Sequence, residues 1–321
     1  MRLAKSTLKQ IKSDASFRDF YRKTNNKRSS IIVYATKEKE KNLLIYDAIN
    51  SLLIENDVLA PKLYKENYKK NFIEIEDFGD DAVFKLLKKK SSNKIDLYKK
   101  SIVLLNKIQK IKQKTIKNFN RKNYKIPIYT NDKLFKEAQL FSKWYTKKFI
   151  SKKKLPALNI KINKQVKFLL SNLKLKNDTL VHRDFHVSNL MRYKNQLGVI
   201  DTQDALIGSR VYDLASLIDD VRFRSDNKLK NNIYNYYLSL NKNKINKKNL
   251  LNDLEILSVI RNMKVIGIFT RLAARDKKKK YLKLIPYAWK LIELRTKNNA
   301  IFNNLKLLLD LNFPRKIRIL K

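Results

Sequence analysis

The sequence predicts an α+β protein of two lobes, a small β-rich lobe followed by a larger helical one into which a β-hairpin is inserted. Three observations carry this expectation. Short runs alternating apolar and polar residues precede Gly79, apolar residues recur at helical spacing after Asp80, and residues 178–205 interrupt the helical pattern with a compact β-rich stretch.

In order, residues 17–22 (FRDFYR) and 30–35 (SIIVYA) read as short strands, and residues 41–56 as a helix with Ile45, Ile49, Leu52 and Leu53 on one face. Residues 71–81, NFIEIEDFGDD, set Phe72, Ile73 and Ile75 against Glu74 and Glu76 and then break at Gly79, a strand running into a turn. That turn divides an N-terminal lobe, residues 1–79, from a C-terminal lobe, residues 80–321. Helical periodicity follows in residues 83–89, 96–111, 137–150 and 165–173. Within residues 178–205, NLMRY and LGVID form a hairpin with the polar KNQ at its bend. VYDLASLIDDV, a long amphipathic helix around residues 254–274 and a final helical pair complete the chain.

Composition removes several function classes. The 321 residues include no cysteine, which excludes disulfides, thiolate metal sites and a cysteine nucleophile. The four glycines, at positions 79, 198, 208 and 267, stand too far apart for a Walker A loop or a dinucleotide fingerprint. Two histidines without cysteine argue against a zinc cluster. The N-terminal stretch lacks an apolar core of the kind that marks a leader, and no uncharged apolar run approaches the ~18 residues of a membrane span, so a cytoplasmic protein without a membrane partner is expected. Lys and Arg number 73 against 29 acidic residues, a formal charge of +44. Lysine is scattered through nearly every segment, the mark of a biased composition; a nucleic-acid partner is not expected, although binding of anionic substrates gains from the field.

Both histidines fall in VHRDFHVSNLM, residues 181–191. Phosphoryl transfer needs a carboxylate to orient the attacking hydroxyl and oxygen ligands for magnesium. Asp184, Asn189 five positions later, and Asp201 at the end of the apolar run GVID supply both kinds of group, and a loop leading into a hairpin can bring the three to one place.

This arrangement resembles the protein-kinase-like superfamily, whose His-Arg-Asp loop and its Asn precede a hairpin ending in a magnesium-binding Asp. It is more similar to the aminoglycoside phosphotransferase and choline kinase branch, with Asp201 following an Ile and YDLASL beginning a later helix. The segments DASFRDFYR (14–22), EDFGD (76–80), LFSKWY (140–145), HRDFHVSNLM (182–191), GVIDTQDALIG (198–208), YDLASL (212–217) and KVIGIFTRLAARD (264–276) occur in the order found in N-acetylmuramate/N-acetylglucosamine kinases. The resemblance implies an ATP- and Mg2+-dependent kinase acting on the anomeric hydroxyl of an amino sugar in peptidoglycan recycling. Its N-terminal lobe binds the nucleotide, and its C-terminal lobe is catalytic and binds the substrate.

In that reading Asp184 accepts the hydroxyl proton, while Asn189 and Asp201 hold magnesium. Ser16 and Arg18 of the nucleotide lid meet phosphate, and the hinge from Glu76 to Phe78 offers its backbone to adenine. His182 ordinarily braces such a loop; His186 and Asp204 are candidate substrate contacts, Asp204 reading equally well as a turn residue. Trp144 suits the apolar face of a pyranose, although aromatic residues in a helix ordinarily fill core. Arg275, one helical turn from Arg271, can reach an acidic group or simply face solvent. Asp213 opens an apolar helix and reads as a cap or brace.

The sequence also departs from pattern. Tyr34 stands where protein kinases carry the strand lysine, so Arg18, Arg22 or Lys37 must supply the positive charge. Thr202 replaces an aromatic residue in DTQDA, Asp19 a second lid arginine, and Lys277 a glycine. Two other functions stay open at this level: an aminoglycoside or choline-type kinase, and an inactive kinase-fold protein that binds a polyanion.

Overall fold

The structure is a computed structural model that describes residues 7–11, 18–25, 28–35, 42–242 and 245–319. Ser16 and Lys37 lie outside the described residues. The α+β class holds, with a small N-terminal sheet and a larger helical part. By packing, the chain divides into one unit of residues 1–127 with 179–207 and another of residues 128–178 with 208–321. This division of the chain by packing differs from the cut at Gly79, which divides it by expected role: the loop and hairpin of residues 179–207 group with residues 1–127.

The first unit starts with β1 (Thr7–Ile11), β2 (Asp19–Asn25) and β3 (Arg28–Tyr34), followed by helix α1 (Asn42–Glu55), β4 (Leu63–Asn67) and β5 (Phe72–Glu76). These strands form an antiparallel sheet in the order β1-β2-β3-β5-β4. One face carries Val33, Ile73 and Ile75, which close on Leu43 and Tyr46 of α1 with Phe20 and Ile31 beside them. Helix α1 is buried almost all round, through Leu43, Leu44, Tyr46, Ile49, Leu52 and Leu53. Ile45, expected on its buried face, is only half-buried, because the contact surface runs through Tyr46 and Asn50 instead.

The chain leaves β5 through Gly79, at φ +75°, a backbone geometry that glycine adopts without a Cβ clash. Helices α2 (Val83–Lys88) and α3 (Lys94–Lys110) and a small hairpin of β6 (Thr115–Lys117) and β7 (Asn123–Lys125) follow. β8 (Asn177–Val181) enters the loop of residues 182–189, and β9 (Leu190–Tyr193) pairs with β10 (Gln196–Val199) as the expected hairpin, Tyr193 opposite Gln196. Lys194 and Asn195 turn it at φ +46° and +63°, the doubly left-handed bend that suits two-residue hairpin loops. β11 (Leu206–Ser209) pairs with β8.

In the second unit, α4 (Asn131–Leu140) is capped by Thr130, which accepts the Lys133 N–H. It runs into a π-helical turn, Phe141–Thr146, and the short α5 (Lys147–Phe149) before α6 (Leu155–Ser171). The sequence reads residues 137–150 as one helix; the π turn lies where Gly267 admits another backbone. A Cβ at Gly267 would stand 2.2 Å from the Leu140 carbonyl carbon and 2.5 Å from the Phe141 nitrogen. Helices α7 (Val211–Ile218), α8 (Asn227–Leu240), α9 (Lys247–Ala274), α10 (Ile285–Thr296), α11 (Asn303–Asn312) and α12 (Arg315–Arg318) complete this unit. Phe141, Tyr145, Trp289 and Phe313 form an aromatic cluster in which the Trp289 indole donates to the Tyr145 hydroxyl at 2.9 Å.

Asp219, fully buried after α7, ties three further helices together. Lys230 of α8 and Arg295 of α10 each reach it at 2.8 Å, and Ser258 of α9 donates to it at 2.6 Å. Burial opposes its ionisation, but the two cations outweigh burial and hold its carboxyl well below the usual range. Among the described residues no helix is long and apolar enough to cross a membrane.

Candidate active site

The loop after β8 is fixed by what it buries. Phe185, Val187 and Leu190 have no exposed surface, so the polar residues between them cannot wander. Asn189 locks the loop by donating its Nδ2 to the Asp184 carbonyl at 3.1 Å, while the Asn189 carbonyl accepts the Ile200 N–H at 3.1 Å. Asp184, Asn189 and the residue preceding Asp201 are thus joined through one chain of hydrogen bonds. His182 adds a second tie, its Nε2 lying 3.0 Å from the Ile200 carbonyl. Asp184 itself is half-buried.

The segment after the hairpin is held from α1. Thr202, fully buried, donates to Asn50 Oδ1 at 2.6 Å, and Asn50 Nδ2 donates to the Pro61 carbonyl at 3.0 Å. Asp201 sits at φ +65°, in the left-handed region. Its Oδ1 accepts from Arg18 Nη2 at 3.2 Å and from Gln203 Nε2 at 3.1 Å. Burial, with the Asp201 charge adding to it, pushes the Tyr46 hydroxyl up to about 12. Asp204 is half-exposed and is held by Arg183 Nη1 at 3.4 Å and Gln203 Nε2 at 3.1 Å. His186 is buried at 4% exposure.

The hinge turns its side chains inward. Glu76 and Phe78 are both buried, and Phe78 stacks on Tyr193 at 4.7 Å between ring centres. Partial burial, and then a hydrogen bond to the Glu76 carboxylate, raise the Tyr193 pKa. Asp77 caps the Gly79 N–H at 2.8 Å and receives Arg22 Nη2 at 3.0 Å, while Arg22 Nη1 reaches Asp80 at 3.0 Å. The Arg22 hydrogen bond holds the Asp80 carboxyl below its usual value. Arg22 therefore serves the hinge. Tyr34 lies with Leu8, Tyr21, Ile32 and Phe72 along a shallow apolar groove. The residues after the hinge join the loop and hairpin: Arg192 Nη2 donates to Asp81 at 2.7 Å, and the Phe84 N–H to the Val187 carbonyl at 2.8 Å.

Arg18, Glu76, Phe78, His182, Asp184, His186, Asn189, Asp201 and Asp204 all belong to the first unit. Trp144, Asp213 and Arg275 belong to the second. Trp144 is half-buried in the π-helical turn, whereas its neighbour Tyr145 is core. Asp213 has no exposed surface. Arg275 is exposed and clasped by Asp276 at 2.7 and 3.0 Å.

A model of the phosphotransferase enzyme family (APH) matches residues 7–244. The chain belongs to this family. It is an ATP-dependent kinase of small molecules, and membership implies magnesium-dependent phosphotransfer. Similar proteins include the N-acetylmuramate/N-acetylglucosamine kinase of Pseudomonas putida, 27% identical over 286 residues that make up 87% of this chain and 80% of that one. The kinase of the same name from Neisseria meningitidis is 26% identical over 281 residues, 85% of this chain and 81% of its own. Among solved structures, an amicoumacin kinase in complex with AMP-PNP and Ca2+ superposes with a TM-score of 0.64 at 14% identity, covering 94% of this chain and 91% of that one. A Plasmodium vivax ethanolamine kinase does so at 0.58 and 13%, covering 90% and 82%. These two share the fold with the family member described here.

Sequence reasoning named the loop residues but missed their holders. Gln203 lies between Asp201 and Asp204 in DTQDA, and Asn50 is a polar residue on the face of α1 that carries Tyr46 and Leu53; both were visible signals.

Proposed function

We propose that the chain transfers the terminal phosphoryl group of ATP to the anomeric hydroxyl of an N-acetylated amino sugar, N-acetylmuramate or N-acetylglucosamine, in cytoplasmic recycling of peptidoglycan. The observation that carries this reading is similarity across 85% to 88% of the chain to three kinases that bear those two sugars in their names.

Asp184 is the base. The hydroxyl it serves is a hemiacetal, more acidic than an ordinary alcohol, so a carboxylate on a rigid loop suffices and positioning supplies much of the rate. Asn189 and Asp201 are the magnesium ligands, and their chemistry fits the ion. Asn189 commits Nδ2 to the Asp184 carbonyl, which leaves its Oδ1 to face a cation, and the Asp201 carboxylate is a second hard oxygen donor. Among the described residues no group of three His, Cys, Asp or Glu could hold a metal by itself, as expected where one or two side chains share magnesium with phosphates. When bound, the ion neutralises charge on the phosphates.

Residues 1–79 hold the nucleotide, with Ser16 and Arg18 toward phosphate and the backbone from Glu76 to Phe78 toward adenine. Residues 80–321 carry catalysis and the sugar. His186, Asp204, Trp144 and Arg275 are the candidate sugar contacts; His182 and Asp213 are supports.

The test is incubation with magnesium-ATP and each sugar, read by phosphorus NMR for the 1-phosphate. Asp184→Asn should lower turnover by about 10²–10⁴-fold at an unchanged melting temperature. Phosphorylation of an aminoglycoside or choline in place of either sugar would replace this reading. A folded protein that turns over none of them, yet binds nucleic acid with steep salt dependence, would replace it with the polyanion-binding one.

A further inference from the structure

Arg18, read above as meeting phosphate, is withdrawn from water. Only 4% of its surface is exposed, its guanidinium carbon lies 5.8 Å from the Phe20 ring centre and 6.0 Å from that of Tyr46, and its Nη2 reaches Asp201 Oδ1 at 3.2 Å. Gln203 Nε2 shares the same oxygen at 3.1 Å. The carboxylate read above as a metal ligand is therefore dressed by a cation and an amide of the chain itself.

A guanidinium withdrawn from water is costly to leave without its counter-charge. A bare divalent cation arriving at Asp201 competes with Arg18 for that carboxylate and offers the guanidinium nothing in exchange. A cation arriving with a polyphosphate brings several anionic oxygens, and the planar, permanently charged fork of arginine is well suited to them.

We propose that Arg18 is a resident counter-ion of Asp201 that couples metal binding to nucleotide binding, releasing the carboxylate to a divalent cation only when phosphate oxygens arrive to take the guanidinium. The proposal rests on Asp201 being a metal ligand. It makes Arg18 a positioning residue, and it predicts that metal binds poorly ahead of nucleotide.

The experiment is titration of the whole protein with Mn2+, read by electron paramagnetic resonance of the free ion, with and without ADP. Wild type should bind bare Mn2+ weakly. Arg18→Gln should bind bare Mn2+ at least about tenfold tighter, because the competing cation is gone. It should bind ADP in the presence of Mn2+ less tightly than wild type. A bare-Mn2+ affinity in Arg18→Gln within twofold of wild type overturns the proposal. Should Arg18→Gln not fold, the wild-type protein decides: the guanidinium resonance of Arg18, assigned by its absence in Arg18→Lys, should stay in place with Mg2+ alone and move with Mg2+ and ADP. Movement with Mg2+ alone overturns the proposal. Asp201→Asn separates the two levels of the argument: if it leaves Mn2+·ADP binding intact, the reading of Asp201 as a metal ligand fails and takes this proposal with it.

Discussion

Asp47 offers a test of the packing behind the site, because two electrostatic effects of opposite sign meet there. It lies on α1 beside Tyr46, is 6% exposed, and accepts the Phe119 N–H at 2.8 Å. Burial drives its carboxyl up to about 6 from the ordinary 3.8, and the Phe119 hydrogen bond offsets only part of this. The field of a chain with charge +44 pushes the other way, toward ionisation. If burial wins, the folded chain keeps this proton up to about pH 6, whereas the unfolded chain releases it near 4. Between those values the folded state binds more protons, so rising pH removes stability; the contribution is greatest below pH 4, and the loss is complete above 6. The interval corresponds to about 3 kcal/mol as an upper bound. Asp47→Asn cannot ionise and still presents an oxygen to Phe119. Urea unfolding of both proteins at intervals from pH 4 to 7.5 should show the stability difference shifting toward the Asn variant by up to about 3 kcal/mol, most of it between pH 4 and 6. A difference that stays flat, or that moves toward wild type as pH rises, would mean that the global field or local solvation dominates, and the reasoning would be refuted.

Other substitutions probe the remaining supports. Asp219→Asn leaves Lys230 and Arg295 facing each other in the interior without their counter-charge and should cost about 3–5 kcal/mol in urea unfolding; a loss under 1 kcal/mol would show that water reaches the cluster. Gly267→Ala forces a Cβ against the backbone of Leu140 and Phe141 and should cost about 3 kcal/mol or more, seen as a lowered melting temperature. Thr202→Val strips Asn50 Oδ1 of its buried donor, at about 1–3 kcal/mol, and should also weaken nucleotide-dependent metal binding by loosening the segment that carries Asp201. Asp201→Gly and Asp201→Ala both remove the carboxylate and should both be inactive, yet the Gly variant should be the more stable by about 1 kcal/mol because Ala is disfavoured at φ +65°. The reverse order in calorimetry would show that this backbone relaxes once the side chain is gone.

What was legible in the sequence was whatever one buried face or one turn determines locally. β5 shows its alternation because Ile73 and Ile75 are buried on the sheet's packed face, and the hairpin shows because its bend needs two left-handed residues. β1 and β4 were not legible. They are the edges of the sheet, and TLKQI and LYKEN are largely exposed, so no apolar period marks them. The π-helical turn was invisible because its neighbour is Gly267, more than a hundred residues away in sequence. The resemblance placed Arg18 in the nucleotide lid, and nothing in the sequence showed that its charge meets Asp201, 183 positions on. Contacts at such separations leave no local trace. Asn50 did leave one, a polar group one turn from Asp47 among the buried apolar residues of α1.

The backbone gives an independent argument that the side chains around Asp201 are needed. With four glycines in 321 residues, the chain meets most of the left-handed positions among the described residues without one: Asp57, Asn71, Arg121, Arg183, Lys194, Asn195, Asp201 and Lys277 all have positive φ. Asn tolerates this region well, and exposed turns spread the cost. Arg183 and Asp201 differ from the exposed Lys194–Asn195 bend of the same segment, because both are half-buried and glycine there would relieve about 1 kcal/mol each. At Gly79, where Asp77 caps the backbone N–H and no side chain is required, glycine is used. At Arg183 the side chain holds Asp204, and at Asp201 it meets Arg18 and Gln203. Strain is thus retained at the positions whose side chains make the site's polar contacts and relieved at the hinge position where none is needed, the distribution expected if this segment is shaped for chemistry and not for stability.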